Sequence, residues 1–107
     1  MTIYALSSGP GLSGVAVIRI SGSDAKKVIT ELTDGNFPKP RVATLKKVNN
    51  INKKELIDEG IIIWFPGPES YTGEDMAEFH VHGSRAVIEA ILNSISKIEN
   101  CRLAEPG

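Results

Sequence analysis

Gly60-Ile61-Ile62-Ile63-Trp64-Phe65, closed by Pro66-Gly67-Pro68, is the stretch whose reading decides the fold. Three successive β-branched residues followed by two aromatics favour an extended chain, and the Pro-Gly-Pro that follows ends it. A run with no polar interruption predicts a strand covered on both faces, and therefore a central one. Upstream, Arg41 to Val48 reads as a strand with mixed faces, joined to the apolar run by a polar hairpin loop from Asn49 to Glu55. Downstream, Met76 to Val81 alternates as a strand should. Nearer the start, Val15-Ala16-Val17-Ile18-Arg19-Ile20 is β-branched enough to be a strand, and Ile3 to Leu6 is a short apolar partner. The turn formers Ser7 to Gly14 lie between them. Ala25, Val28, Ile29 and Leu32 fall at helical spacing behind Ser23 or Asp24 as cap, with Gly35 as stop. Val87, Ile88, Ile91, Leu92, Ile95 and Ile98 trace a second helical stripe over Arg85 to Ile98, with Ser84 as cap. The predicted order is β-β-α-β-β-β-α in one α+β domain over residues 1–107. Arg102-Leu103 can begin a further short strand.

Composition limits the function classes. With 107 residues, 41% hydrophobic and 23% charged, the chain can bury a core of roughly two-thirds of its unfolded surface. Its formal net charge is −1 and its pI about 6.1, so it has no basic field for gripping a phosphate backbone. Direct contact with nucleic acid is not expected. Cys101 is the single cysteine, which fits a reducing compartment and a small buried hydrophobe better than a reactive thiol. Neither a leader pattern nor an apolar run of membrane-spanning length occurs, so a cytoplasmic protein is expected.

Two motifs point to chemistry that their contexts do not support. Gly9-Pro10-Gly11-Leu12-Ser13-Gly14 satisfies G-x-G-x-x-G, but that site holds a pyrophosphate on a helix N-terminus, and here a β-branched strand follows. A Walker phosphate loop needs Lys after its last glycine, where Val15 stands. Glu78, His80 and His82 alternate along a strand and so share a face, as the ligands of a small metal-binding module would. The same pattern suits a strand that turns Ala77, Phe79 and Val81 to the core and its polar face outward, and no fourth ligand is evident.

Arg19 and Glu78 are the charges that need an account. Arg19 interrupts an apolar strand, and a guanidinium buried there needs water, a carboxylate or an anionic ligand. Glu78 poses the same question in Met76-Ala77-Glu78-Phe79-His80. An ion pair across the sheet is the simplest account that covers both, with water at a strand end and a bound ligand as the others.

Phe65-Pro66-Gly67-Pro68-Glu69-Ser70-Tyr71-Thr72-Gly73-Glu74-Asp75 resembles the FPGPxSYTGED signature of the MnmE (TrmE) family of tRNA wobble-uridine modification GTPases. Gly14-Val15-Ala16-Val17-Ile18-Arg19-Ile20-Ser21-Gly22 resembles the family's G-V-x-x-I-R-I-S-G strand. Asp58-Glu59-Gly60, His82-Gly83 and Leu103-Ala104-Glu105-Pro106-Gly107 resemble further family positions, so the whole chain matches the first part of the family. The resemblance implies a half-domain similar to half of the folate-binding domain of the glycine-cleavage T-protein, completed by dimerisation. It implies binding of 5-formyltetrahydrofolate or 5,10-methylenetetrahydrofolate, with the family's folate-contacting Arg and Glu falling on Arg19 and Glu78; a Lys contact lies downstream of Gly107. Full-length members carry helical and GTPase domains, with GTP, magnesium and potassium, that this chain lacks. With the FAD protein MnmG (GidA) they install a carboxymethylaminomethyl or aminomethyl group on tRNA. The isolated piece is then expected to bind rather than catalyse. A stand-alone folate-dependent one-carbon transferase is the alternative, though such enzymes carry both halves in one chain. The chain departs from the family at Leu12, where a basic residue is usual, and at Ser84, where Gly is usual.

Overall fold

The computed structural model describes residues 1–7, 14–53 and 55–104. The elements run β1 (Thr2–Leu6), β2 (Val15–Ser21), α1 (Ala25–Leu32), β3 (Thr44–Asn49), β4 (Leu56–Phe65), β5 (Met76–His82), α2 (Arg85–Ser96) and β6 (Cys101–Leu103). This is the predicted α+β order with the short final strand added. One six-stranded sheet has the order β3-β4-β5-β2-β1-β6, antiparallel except where β6 runs parallel to β1.

Alternation gives the sheet two unlike faces. Ala16, Ile18 and Ile20 of β2, Ala77, Phe79 and Val81 of β5, and Ile62 and Trp64 of β4 are buried in one cluster with Ala25, Val28, Ile29 and Leu32 of α1 and Ile91 and Ile95 of α2. Both helices therefore bury their apolar stripes on the same side. On the other side Ile61, Ile63 and Phe65 are only half-buried, while Ile3, Val15 and Leu45 are exposed.

This corrects the expectation for Gly60 to Phe65. The strand lies inside the sheet but second from its edge, the middle pair being β2 and β5, and within this chain only one of its faces is fully covered. It also starts earlier, at Leu56, because Val48 and Asn49 of β3 pair with Asp58 and Leu56. β3 begins at Thr44 rather than Arg41, since Arg41 takes a left-handed conformation (φ 62°) that no strand residue adopts. α1 is closed by extended Thr33, whose N–H bonds Ile29 O at 3.0 Å, and Gly35 (φ 80°) follows it. Asp24 stands at the N-cap without capping; its carboxylate accepts from Asn100 Nδ2 at 2.8 Å and ties the start of α1 to the turn before β6. At α2 the cap is as expected, Ser84 Oγ accepting from Val87 N at 3.1 Å. Ile98 lies just beyond the helix but is still buried in the core. The strand expected after the glycine-rich motif is β2; the motif itself, Gly9 to Ser13, and the residues Glu105 to Gly107 lie outside the described residues.

Candidate functional site

Arg19 and Glu78 stand directly opposite each other in the β2–β5 register, on the face away from the helices. Arg19 donates to Glu78 Oε2 from Nε at 3.0 Å and from Nη2 at 2.8 Å. His80 Nε2 lies 2.9 Å from the other oxygen, Oε1. Of the accounts the sequence leaves open for these two charges, the ion pair is formed, and Glu78 is the more enclosed partner, its side chain 14% exposed against 39% for Arg19. Burial pushes the Glu78 carboxyl upward, but the hydrogen bonds from His80 and Arg19 and their charges outweigh it, so the group sits below its ordinary value. Three of its roughly four lone-pair sites are engaged, and it remains a strong acceptor facing the open side of the sheet.

The segment between β4 and β5 wraps the end of this cluster. Gly67 N donates to Asp75 Oδ1 at 2.9 Å, Gly22 N to Asp75 O at 2.9 Å, and Ser70 Oγ to Glu74 O. Ser21 Oγ is 2.8 Å from Thr72 Oγ1 and 3.2 Å from Glu74 Oε2, fastening the segment to the end of β2. From the other side Arg41 Nη2 donates to Pro66 O at 3.2 Å and Glu69 O at 2.7 Å. The fastened loop presents Tyr71, 86% exposed, with its ring centroid 5.7 Å from the Arg19 guanidinium carbon. Charge patterning singles out Arg19 and Glu78 but gives no signal for Arg41 or Tyr71, since a left-handed arginine and an exposed tyrosine look like ordinary loop residues in a sequence.

Glu78, His80 and His82 do not act as one group. His82 turns to Asp58, whose oxygens lie 2.9 and 3.0 Å from Nδ1, and Asp58 Oδ2 also accepts the His82 backbone N–H at 2.9 Å. Burial raises the Asp58 carboxyl, yet these bonds, one from the Glu59 backbone and the His82 charge together hold it below its ordinary value. Among the described residues no three His, Cys, Asp or Glu side chains are grouped closely enough to hold a metal ion. A hollow of about 260 Å³ is lined by Val15, Leu45, Gly60, Ile61, His80 and His82 among others. Cys101 is half-buried against the core, and burial foremost raises its thiol, which suits a packing role. Among the described residues no helix is long and apolar enough to cross a membrane.

The fold and the cluster define a small α+β domain with its stability on one sheet face and its charged groups on the other. The chain belongs to the family described as "GTP-binding protein TrmE N-terminus", whose profile matches residues 2–107. It is 72% identical over 107 residues to the tRNA modification GTPase MnmE of Pelagibacter ubique (strain HTCC1062), covering all of this chain and 24% of that protein. It is 48% identical over 106 residues to the mitochondrial 5-taurinomethyluridine-[tRNA] synthase subunit GTPB3 of Danio rerio, covering 99% of this chain and 21% of that protein. Against tRNA modification GTPase MnmE of Beijerinckia indica the identity is 48% over 106 residues, with coverages of 99% and 23%. The chain thus spans about a quarter of the length of the relatives it matches.

Proposed function

We propose that this chain is the folate-binding and dimerising N-terminal unit of a tRNA modification GTPase. In this reading it holds a tetrahydrofolate one-carbon donor, 5-formyltetrahydrofolate or 5,10-methylenetetrahydrofolate, through Glu78 and Arg19. Family membership supplies the frame, and the observation that carries the site is the enclosed carboxylate of Glu78 on the sheet face that the helices leave open. The 2-amino-4-oxo edge of a pterin offers adjacent N–H donors to one carboxylate, and the carbonyl and glutamate oxygens of a folate suit a guanidinium. The donor set therefore fits the ligand. Folate would supply the one-carbon unit; this chain's residues bind and orient it and hold its donor edge at Glu78.

The half-exposed strip of Ile61, Ile63 and Phe65, together with exposed Ile3, Val15 and Leu45, supports a second copy as the cover of the open face. The whole protein would bind GTP with magnesium and potassium in a separate domain, and act with MnmG (GidA) on the wobble uridine of tRNA. Calorimetric titration of 5-formyltetrahydrofolate into the purified chain, with light scattering on the same sample, tests the reading. Saturable binding and twice the 11.5 kDa chain mass are expected. Absence of heat from a folded, monomeric sample would contradict it.

A further inference from the structure

The formal net charge of −1 is spread very unevenly along the chain. From Gly35 to Lys54 there is no Asp or Glu, while Lys39, Arg41, Lys46, Lys47, Lys53 and Lys54 give this stretch +6 and leave −7 for everything else. Averaging over the chain conceals this asymmetry, and only the average argues against contact with nucleic acid.

The fold lays the stretch along one line. Pro40 bridges to Trp64, and Arg41 N donates to Trp64 O at 2.7 Å, near one end of β4. β3 then follows β4 toward its other end, where Asn49 pairs with Leu56, and the turn beyond carries Lys53. Because β3 is the outermost strand, the cations from Lys39 to Lys53 run down a free edge of the sheet about as long as the ten residues of β4, roughly 30 Å. Lys26 of α1 joins them over the Phe37 ring, its Nζ 5.2 Å from the centroid. Lys39 and Lys47 are exposed, and Lys47 stands opposite Glu59 in the register without forming an ion pair. Lys46 donates to a neutral acceptor, Asp34 O, at 2.7 Å. Among the described cations of the row, only Lys53, 3.2 Å from the Asp34 carboxylate, and Arg41, 3.8 Å from Glu69, have a carboxylate within ion-pair reach.

Lysines on an edge strand keep other strands from adding to it, which accounts for Lys46 and Lys47 but not for the cations beyond both ends of β3. A row of one sign along an edge matches a row of phosphates. A bilayer is the poorer match, because the turn at the end of the row offers no apolar wedge: Ile51 packs half-buried against the core. Lysine outnumbers arginine five to one in the stretch, and a lysine ammonium holds a phosphate as a point charge rather than reading a base edge. We propose that the sheet edge from Lys39 to Lys53 is an RNA-contact surface, which holds the phosphate backbone of a structured RNA without reading its bases. The choice of RNA rests on the reading above, in which the whole protein acts on tRNA. The surface itself lies on β3, two strands away from Glu78.

The probe is a fluorescein-labelled RNA stem-loop the size of an anticodon arm, titrated with the intact chain and followed by anisotropy at about 50 and about 200 mM salt. Vesicles of phosphatidylcholine and phosphatidylserine in equal parts are the second probe. Wild type is compared with two triple variants of equal charge. One combines Lys39→Gln, Lys47→Gln and Lys53→Gln on the edge; the other combines Lys27→Gln, Arg85→Gln and Arg102→Gln elsewhere. All six residues are exposed, so the three proteins should melt together. Should the edge variant melt lower, Lys39→Gln with Lys47→Gln alone, which keeps the Lys53 to Asp34 pair, takes its place. Wild type is expected to lose about fiftyfold in RNA affinity between the two salts, as about four phosphate contacts would give. At the lower salt the edge variant should bind RNA about tenfold more weakly, and the other variant should stay within about threefold of wild type. Equal losses in the two variants, no RNA binding by wild type, or vesicles bound in preference to RNA would each overturn the surface. Titrating 5-formyltetrahydrofolate into the same samples separates the two readings. Folate binding without RNA binding removes this inference alone, and RNA binding without folate binding keeps it while the folate site falls.

Discussion

The two faces of β2 and β5 are built from alternate residues of the same short strands, yet they are under different demands. Toward the helices, Ile18, Ile20, Ala77 and Phe79 are completely buried against α1 and α2. Toward the open side the same strands carry Val15, Val17 and Arg19 opposite His82, His80 and Glu78, all partly in water. One face holds the apolar core of the fold and the other displays charged groups that pair across the sheet. A strand period of two makes this separation possible, because neighbouring residues never share a face. Stability and binding should therefore be separable by single substitutions one residue apart.

Phe79→Ala is the strongest attempt to break the covered face. It empties a fully buried aromatic site between the sheet and the helices and should cost about 3–5 kcal/mol, a large share of a small domain's stability. Urea unfolding should show the midpoint collapsing; a loss under 1 kcal/mol would mean that the helices do not pack as described. A smaller effect is expected from Ser84→Ala, which removes the oxygen capping Val87 N at the start of α2. About 1 kcal/mol should be lost, lowering the melting temperature by several degrees without touching ligand affinity. An unchanged melting temperature would mean that Ser84 does not cap.

The smallest effect sharpens the open face through pH. Glu78 is held below its ordinary value near 4.5, so the folded chain binds fewer protons there than the unfolded chain does. Its contribution is present above that ordinary value and drains away as pH falls through the lower folded value. Glu78→Gln should therefore be less stable than wild type at pH 7, with the gap between their urea midpoints narrowing once pH drops below about 4.5. A gap that stays constant with pH would show that the carboxylate's ionisation contributes nothing to the fold.

How much of this was legible in the sequence follows from the same division. The covered face was readable because apolar residues recur with the period of their element, as in Val28, Ile29 and Leu32 or Ile91 and Ile95. The extent of β4 was not, since Asp58 and Glu59 break its apolar run and are included only because β3 pairs with them. Nor was the true middle of the sheet, because β5 reads as half polar although strands lie on both sides of it. On the open face Arg19 and Glu78 stood out as charges in apolar strands, and their meeting follows from register. The partnership of His82 with Asp58, 24 residues away, has no local signal. Arg41 was equally silent, since its contacts come from where a loop without regular structure is tied down.

Whether Glu78 binds a ligand beyond its part in the fold is decided by titrating 5-formyltetrahydrofolate into wild type and Glu78→Gln while melting both proteins. Gln keeps the size of the side chain but turns one acceptor oxygen into a donor that would face the ligand's own N–H. A loss of about 2 kcal/mol in binding, roughly thirtyfold in affinity, is expected beyond any change explained by the melting curves. Equal affinity in two equally folded proteins would mean that Glu78 is no part of a folate site.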